Sequence, residues 1–384
     1  MAGTRRKDNK GRVLRSGESQ RKDGTYDYRY TDAFGKRCSV YAETLHELRE
    51  KEIEVDKANI THLNYVAGNC TVLELVERYT QLKTGVRHST RVGYQFVKGI
   101  LKKEEFGKRK IRDIRVSDAQ MFFAKIQREG RGYSTITTIR GVLKPAFQMA
   151  CNEDIIWKNP FVFKLTDVVV NDSQHMPAMS AEEQKIWMSF IREDSAFCKY
   201  YDEFVVLLGT GMRVSEFCGI TLSDLDFVQR RIRVERQLIR GKDGYHVEKT
   251  KTKSGVRFIP MSNGVYSSLQ NIVKSRPLME TEPEIDGLSG FLLLDSLQQP
   301  KVALHIENEM RWALKKFRKM HPDVYLPHIT PHVFRHTFCT NLANAGMNIK
   351  NLQYLMGHSD VGTTLNIYTH SSYENAACQF MELN

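Results

Sequence analysis

The apolar positions change period along this chain, and each change marks an element. Residues 1 to about 24 contain almost no apolar side chains, so the start is expected to be flexible. Thr25 to Tyr30 then alternates, and Arg37 to Tyr41 follows a Phe34-Gly35 turn, predicting two short strands. Thr44-x-x-Glu47 reads as a capping box for a helix through about Ala58. Residues 59–69 read as a linker. Helical spacing takes over beyond it. Thr71-x-x-Glu74 opens one helix, Ser89 or Thr90 a second, Ser117-x-x-Gln120 a third and Ser134 a fourth, with Pro145 expected to bend or shift the last. Met121, Phe122 and Phe123 are assigned to packing. The pattern ends near Pro160, giving an all-helical bundle of about a hundred residues.

After a predicted linker at 166–178, Ser180-x-x-Glu183 caps a further helix. Phe197 to Leu208 reads as a buried helix ended by Gly209-Thr210-Gly211. Asp226 to Val234 and Tyr245 to Pro260 alternate around Gly241-Lys242-Asp243-Gly244, predicting an antiparallel sheet. Further helices follow, including about Leu304 to Met320. Near the end, Val333, Phe334, Thr337, Phe338, Leu342 and Ala343 form the expected buried side of a helix that stops at Gly346. Leu352, Leu355 and Met356 lead to Gly357-His358, and a last short segment reaches Tyr368-Thr369-His370.

Composition adds a partner. A formal charge of +12 suits a polyanion. About half of that excess lies in residues 1–40, which carry eleven basic and five acidic side chains. Seven dispersed cysteines without a CxxC pair argue for reduced thiols and a cytoplasmic location. No apolar run is long enough to span a bilayer, so no membrane partner is expected.

The candidate chemistry gathers in the C-terminal half. His332 and Arg335 stand three residues apart on one helix face. An arginine forks two donors onto a phosphate and stays charged. A histidine can move protons near neutral pH, and a tyrosine hydroxyl can act as a covalent nucleophile. Arg213 follows the glycine turn, and Glu216 is spaced to pair with it or orient it. His332 and His336 also have metal-ligand spacing. Zinc is discounted because no HExxH glutamate is present and Arg335 would repel a cation.

The ordered set resembles the tyrosine recombinase (phage-type integrase) family. It comprises Gly211-Met212-Arg213-Val214-Ser215-Glu216, His332-x-x-Arg335, Gly357-His358 and Tyr368 within IleTyrThrHis. The family also carries a lysine on a β-hairpin; Lys253, in Lys251-Thr252-Lys253-Ser254-Gly255, is the candidate, with Lys251 in reserve. The N-terminal part resembles the arm-binding domain of conjugative-transposon integrases, where a three-stranded sheet reads DNA. Arg29, Lys36 and Arg37 are candidates to face DNA there; Tyr26, Tyr28 and Tyr30 are assignable equally to the core.

The resemblance implies a multidomain fold: a small β-sheet-plus-helix module at 1–60 binding arm-type DNA, an all-α core-binding domain at 70–165, and a mainly-α catalytic domain with a small antiparallel sheet at 175–384. It implies a homo-tetramer on double-stranded DNA, touching core crossover sites and arm-type repeats, with an accessory DNA-bending or excision factor. It implies metal-free transesterification with no cofactor. Tyr368 would attack the phosphorus, Arg213 and Arg335 would hold its oxygens, His332 would take the tyrosine proton, His358 would donate to a phosphate oxygen and Lys253 would protonate the leaving oxygen. Type IB topoisomerase-like relaxation and a non-catalytic DNA-binding regulator are the competing readings.

Overall fold

The computed structural model describes residues 6–33, 35–60, 64, 66–172, 177–241, 244–250, 253–368 and 381, without the side chains of 253, 363 and 366–368. The chain divides into two compact units, Met1–Gln174 and His175–Asn384.

The first unit opens with a three-stranded antiparallel sheet of β1 (Glu18–Gln20), β2 (Tyr26–Thr31) and β3 (Arg37–Ala42), in that spatial order. Helix α1 (Leu45–Ile60) packs against it, and the Thr44 hydroxyl accepts from the Glu47 N–H at its start. Tyr26, Ala42, Leu45 and Leu48 form this small core. Tyr26 is therefore a core residue, while Tyr28 stacks on Tyr30 at the half-buried face.

The basic start differs from its expectation, because part of it is folded. Lys7 bridges to Val13, and β1 pairs Glu18 with Tyr28. Asp8 is the reason: its buried carboxylate accepts from the Arg12 backbone and Nε, both at 2.7 Å, and from the Tyr26 hydroxyl at 3.0 Å. A low-hydropathy segment is held by charge-assisted hydrogen bonds that periodicity cannot reveal.

Among the described residues, five further α-helices follow in this unit: α2 (Val72–Gln81), α3 (His88–Lys103), α4 (Glu105–Lys108), α5 (Val116–Arg128) and α6 (Tyr133–Asn152). The Thr71/Glu74 capping box forms as expected. Three other starts were misplaced. Helix α3 begins after Arg87, ahead of Ser89; α5 uses Asp118 to hold the Arg115 N–H; and α6 begins after Gly132. Helix α6 continues through Pro145. Phe106, Phe122, Phe123, Phe147 and Phe161 interlock at the centre, each contributing about 2–3 kcal/mol by burial. Met121 is exposed, so it does not belong with its two packed neighbours.

The second unit is built on α7 (Ala181–Glu193), α8 (Tyr201–Thr210) and the short α9 (Val214–Cys218). The Ser180/Glu183 capping box starts α7. The strands are β4 (Leu225–Asp226), β5 (Arg231–Val234), β6 (Arg236–Gly241), β7 (Gly244–Lys249) and β8 (Arg257–Pro260). They form two sheets where one was expected: β4-β5-β8 and the hairpin β6-β7. The chain switches sheets at Glu235, whose carbonyl receives the Thr250 N–H. After β7 it turns through Lys253–Gly255, and β8 returns to pair with β5. The remaining helices are α10 (Asn263–Ser275), α11 (Ala303–Met320), α12 (Pro331–Asn344), α13 (Ile349–Met356) and α14 (Val361–Tyr368). Trp187, Phe204, Phe217, Phe291 and Phe334 anchor the core. No described helix is long and apolar enough to cross a membrane.

Candidate active site

Helix α8 ends because Gly211 takes the left-handed conformation, φ 61°. No other residue fits easily: a Cβ on Gly211 would lie 2.3 Å from the Phe338 ring of α12. That turn delivers Arg213 to the start of α9. Its backbone N–H donates to Glu216 Oε2 at 3.0 Å and its Nη1 to Oε1 at 2.7 Å. The Glu216 side chain is buried, while the Arg213 side chain is 43% exposed, so the cation keeps an open side.

Arg335 comes from α12, more than a hundred residues later. It is buried, and its fork is spent on backbone: Nη1 donates to Gly211 O at 2.6 Å and Nη2 to Met356 O. It thereby pins the ends of α8 and α13 together. Burial, and then the neighbouring Arg213, lower its pKa to about 9, against the pull of Glu216. His332, one turn earlier, is exposed, yet desolvation and then Arg335 and Arg213 lower its pKa from the ordinary value. Arg213, His332 and Arg335 share the wall of a cavity of about 530 Å³ with Arg311 and His328.

His358 follows Gly357, which caps α13 in the left-handed conformation. Gln353 grips the His358 backbone from both sides, through its own carbonyl and its Nε2. Nδ1 of His358 lies 3.0 Å from the hydroxyl of buried Thr364 on α14. Burial first, and then Arg335, Arg213 and Arg257, push the His358 pKa down to about 4. The same three guanidiniums, secondary to burial in lowering this pKa, would attract an anion beside the ring.

Lys253 opens the turn before β8, and Tyr368 is the last residue of α14; the side chains of both lie outside the described residues. Lys251 lies outside them altogether. His336 meets the Thr340 hydroxyl at 3.4 Å.

Two neighbours escaped the sequence reading. Arg257, buried on β8, forks onto Glu216 with Nη2–Oε2 at 2.8 Å and Nη1–Oε1 at 3.3 Å. The signal was present: the alternation of Val256 to Ile259 puts Arg257 on the same inward face as Ile259. Thr364 had no such signal, since a threonine in a short helix is common. Arg213, Arg257, Arg335 and Glu216 carry a formal charge of +2 together, which suits a phosphate that gains negative charge on the way to its transition state.

Elsewhere, several basic side chains that could otherwise grip phosphates are engaged within the protein. Arg140 donates to the Phe161 and Phe163 carbonyls, Arg109 pairs with Asp118 at 2.9 Å and Lys316 with Asp194 at 2.6 Å.

Comparison with known proteins accords with this geometry. The profile described as the phage integrase family matches residues 178–375, and that of the DNA binding domain of Tn916 integrase matches residues 2–59. The transposase from transposon Tn1545 of Streptococcus pneumoniae is 40% identical over 99% of this chain and 97% of its own length. The transposase from transposon Tn916 of Enterococcus faecalis is 39% identical with the same coverage. A solved Tn1549 transposon integrase fragment, in complex with a circular intermediate DNA, superposes with a TM-score of 0.78 at 38% identity, covering 82% of this chain and 99% of that one. A lambda integrase tetramer bound to a Holliday junction shares the fold at 17% identity, with a TM-score of 0.54 over 91% of this chain and 94% of that one. With one profile on the N-terminal sheet, another over the arginine-histidine site, and relatives aligned along nearly its whole length, the chain belongs to the phage integrase family of tyrosine recombinases.

Proposed function

We propose that this chain integrates and excises a mobile element resembling a conjugative transposon, cutting and rejoining DNA through a 3′-phosphotyrosine intermediate. The observation that carries the site assignment is the convergence of Arg213, His332 and Arg335 on one cavity from distant segments. Tyr368 is the nucleophile. Its oxygen bonds to the phosphorus as the bond to the 5′-oxygen breaks. Arg213 and Arg335 receive the non-bridging oxygens; Arg335 would exchange a backbone partner for phosphate as DNA binds. His332 takes the phenolic proton, a role its lowered pKa suits, since the neutral imidazole is the base. With the Thr364 hydroxyl, 3.0 Å from His358 Nδ1, taken as the donor, Nε2–H is left to donate to the phosphate. Lys253 gives its proton to the departing 5′-oxygen. The phosphotyrosyl bond conserves the phosphodiester's energy, so a second 5′-hydroxyl can rejoin without ATP.

Residues 1–60 take arm-type repeats, residues 70–165 grip the core site, and residues 175–384 do the chemistry on double-stranded DNA. Four protomers act on two sites through a Holliday junction, assisted by a DNA-bending or excision factor. The tail Ser371–Asn384, a candidate to pack on a neighbour, lies outside the described residues apart from Met381.

A nicked suicide duplex tests the nucleophile. Tyr368→Phe should bind it normally and trap no covalent adduct; an undiminished adduct would remove Tyr368 from the site. Joining of two marked sites, without accumulation of relaxed plasmid, is the outcome that separates recombination from topoisomerase activity.

A further inference from the structure

Arg257 touches no part of the cavity described above, yet its guanidinium reaches three segments that the chemistry needs. Nε donates to Leu355 O at 2.7 Å, at the end of α13 just before Gly357-His358. Nη1 donates to Gly255 O at 3.0 Å, inside the turn that begins at Lys253. The remaining donors fork onto Glu216, the carboxylate that holds Arg213. The side chain is fully buried, so water cannot replace any of these bonds.

The surroundings are shaped to this one group. A Cβ on Gly357 would lie 2.9 Å from Arg257 Nη1 and 3.2 Å from Ser254 O, so the glycine before His358 leaves room for both the guanidinium and the turn. A second tie runs in parallel: the Tyr354 hydroxyl on α13 accepts the Phe258 N–H of β8 at 3.1 Å. Lysine cannot reproduce this arrangement, since a single ammonium has no planar fork.

We propose that Arg257, seconded by the Tyr354 hydroxyl, is a positioning residue that clamps the 253–255 turn against the Arg213 and His358 segments, so that the turn's lysine meets the leaving oxygen. The inference rests on the reading of that turn as the source of the leaving-group proton. In the step concerned, the tyrosine oxygen–phosphorus bond forms, the phosphorus–O5′ bond breaks, and an ammonium proton passes to O5′. A displacement of about 1 Å in such a donor can cost on the order of 100-fold in rate.

The test compares single-turnover cleavage of two nicked duplexes, identical except that one carries sulfur in place of the bridging 5′-oxygen. Sulfur departs as a thiolate and needs no proton. Arg257→Lys should cleave the oxygen substrate at least about 10-fold more slowly, because a displaced general acid forfeits part of the roughly 100- to 10,000-fold that it contributes, and should recover most of that loss on the sulfur substrate. DNA affinity should stay within about 3-fold, a difference too small to account for the rate effect. An equal defect on both substrates, or no defect, overturns the proposal. Lys253→Ala run in parallel separates the two ideas. If it is not rescued by sulfur while Arg257→Lys is, the clamp stands and the proton comes from another group, with Lys251 next to be tested. Should Arg257→Lys fail to fold, Tyr354→Phe removes only the exposed hydroxyl; it should show a smaller defect that sulfur also erases, and a defect indifferent to sulfur would overturn the clamp.

Discussion

Single side chains at this site are set by what sits beside them. His358 is the clearest case. Its pKa of about 4, held down chiefly by burial and then by three guanidiniums, lies below the 6.5 of an unhindered imidazole. Protonation therefore favours the unfolded chain over the window between the two values. The stability of the His175–Asn384 unit is fully present above pH 6.5 and should fall progressively as pH drops towards 4. Denaturant unfolding across that range should show the loss, and His358→Asn should flatten it. Thr364 controls the same ring differently. Thr364→Val keeps the shape but removes the hydroxyl against Nδ1. It should slow suicide-substrate cleavage by about 10-fold, the loss of roughly one hydrogen bond to the phosphate when the ring is no longer held in register, with binding unchanged. The family motifs made His358 visible in the sequence. Thr364 carries no sequence signal, because a threonine in a helix is ordinary; strand alternation marks Arg257 as inward-facing, but its partners are evident only in the fold.

Elements place these side chains through their ends. The left-handed turn at Gly211 stops α8, frees a carbonyl for Arg335 and sets Arg213 at the head of α9. Gly211→Ala would combine positive φ with a Cβ 2.3 Å from Phe338, so a destabilisation of about 1–3 kcal/mol is expected, together with slower cleavage from a displaced Arg213. Thermal melting and single-turnover rates measure the two effects separately. Adding Phe338→Leu should restore part of the stability if the ring is the obstacle. The capping boxes at Thr71 and Ser180 were readable because the bonds are local, spanning three residues. The starts of α3 and α5 differ from the serine and threonine signals: α3 begins after Arg87, which makes no side-chain cap bond, and at α5 the Asp118 carboxylate caps the Arg115 N–H, ahead of the Ser117 that Gln120 was expected to cap. The single expected sheet became two for a similar reason: alternation marks a strand but does not name its partner.

At the scale of the whole molecule, a second buried ionic cluster stands apart from the arginine site. Lys301 bridges Glu203 at 2.7 Å and Glu309 at 3.0 Å, with its ammonium 4.8 Å from the Tyr200 ring centroid. Three separate parts of the His175–Asn384 unit meet there, at α8, at the lead-in to α11 and within α11. Lys301→Met would leave two carboxylates buried without their cation, and a loss of about 3–5 kcal/mol in unfolding free energy is expected. Replacing all three residues by apolar ones should recover most of it, and equilibrium denaturation of both variants checks the pair of outcomes. The amino-acid sequence by itself determined the family motifs, the order of the helices and the basic N-terminal module, because each is written in local spacing or in a contiguous string of residue types. Tertiary structure alone decided that Asp8 folds the basic start, that β8 leaves β7 for β5, and that Glu216 holds two arginines at once. Those outcomes turn on groups such as Tyr26, 18 positions from Asp8, and Arg257, 41 positions from Glu216, meeting at one buried carboxylate, and no local pattern records which partner a carboxylate or strand edge will take.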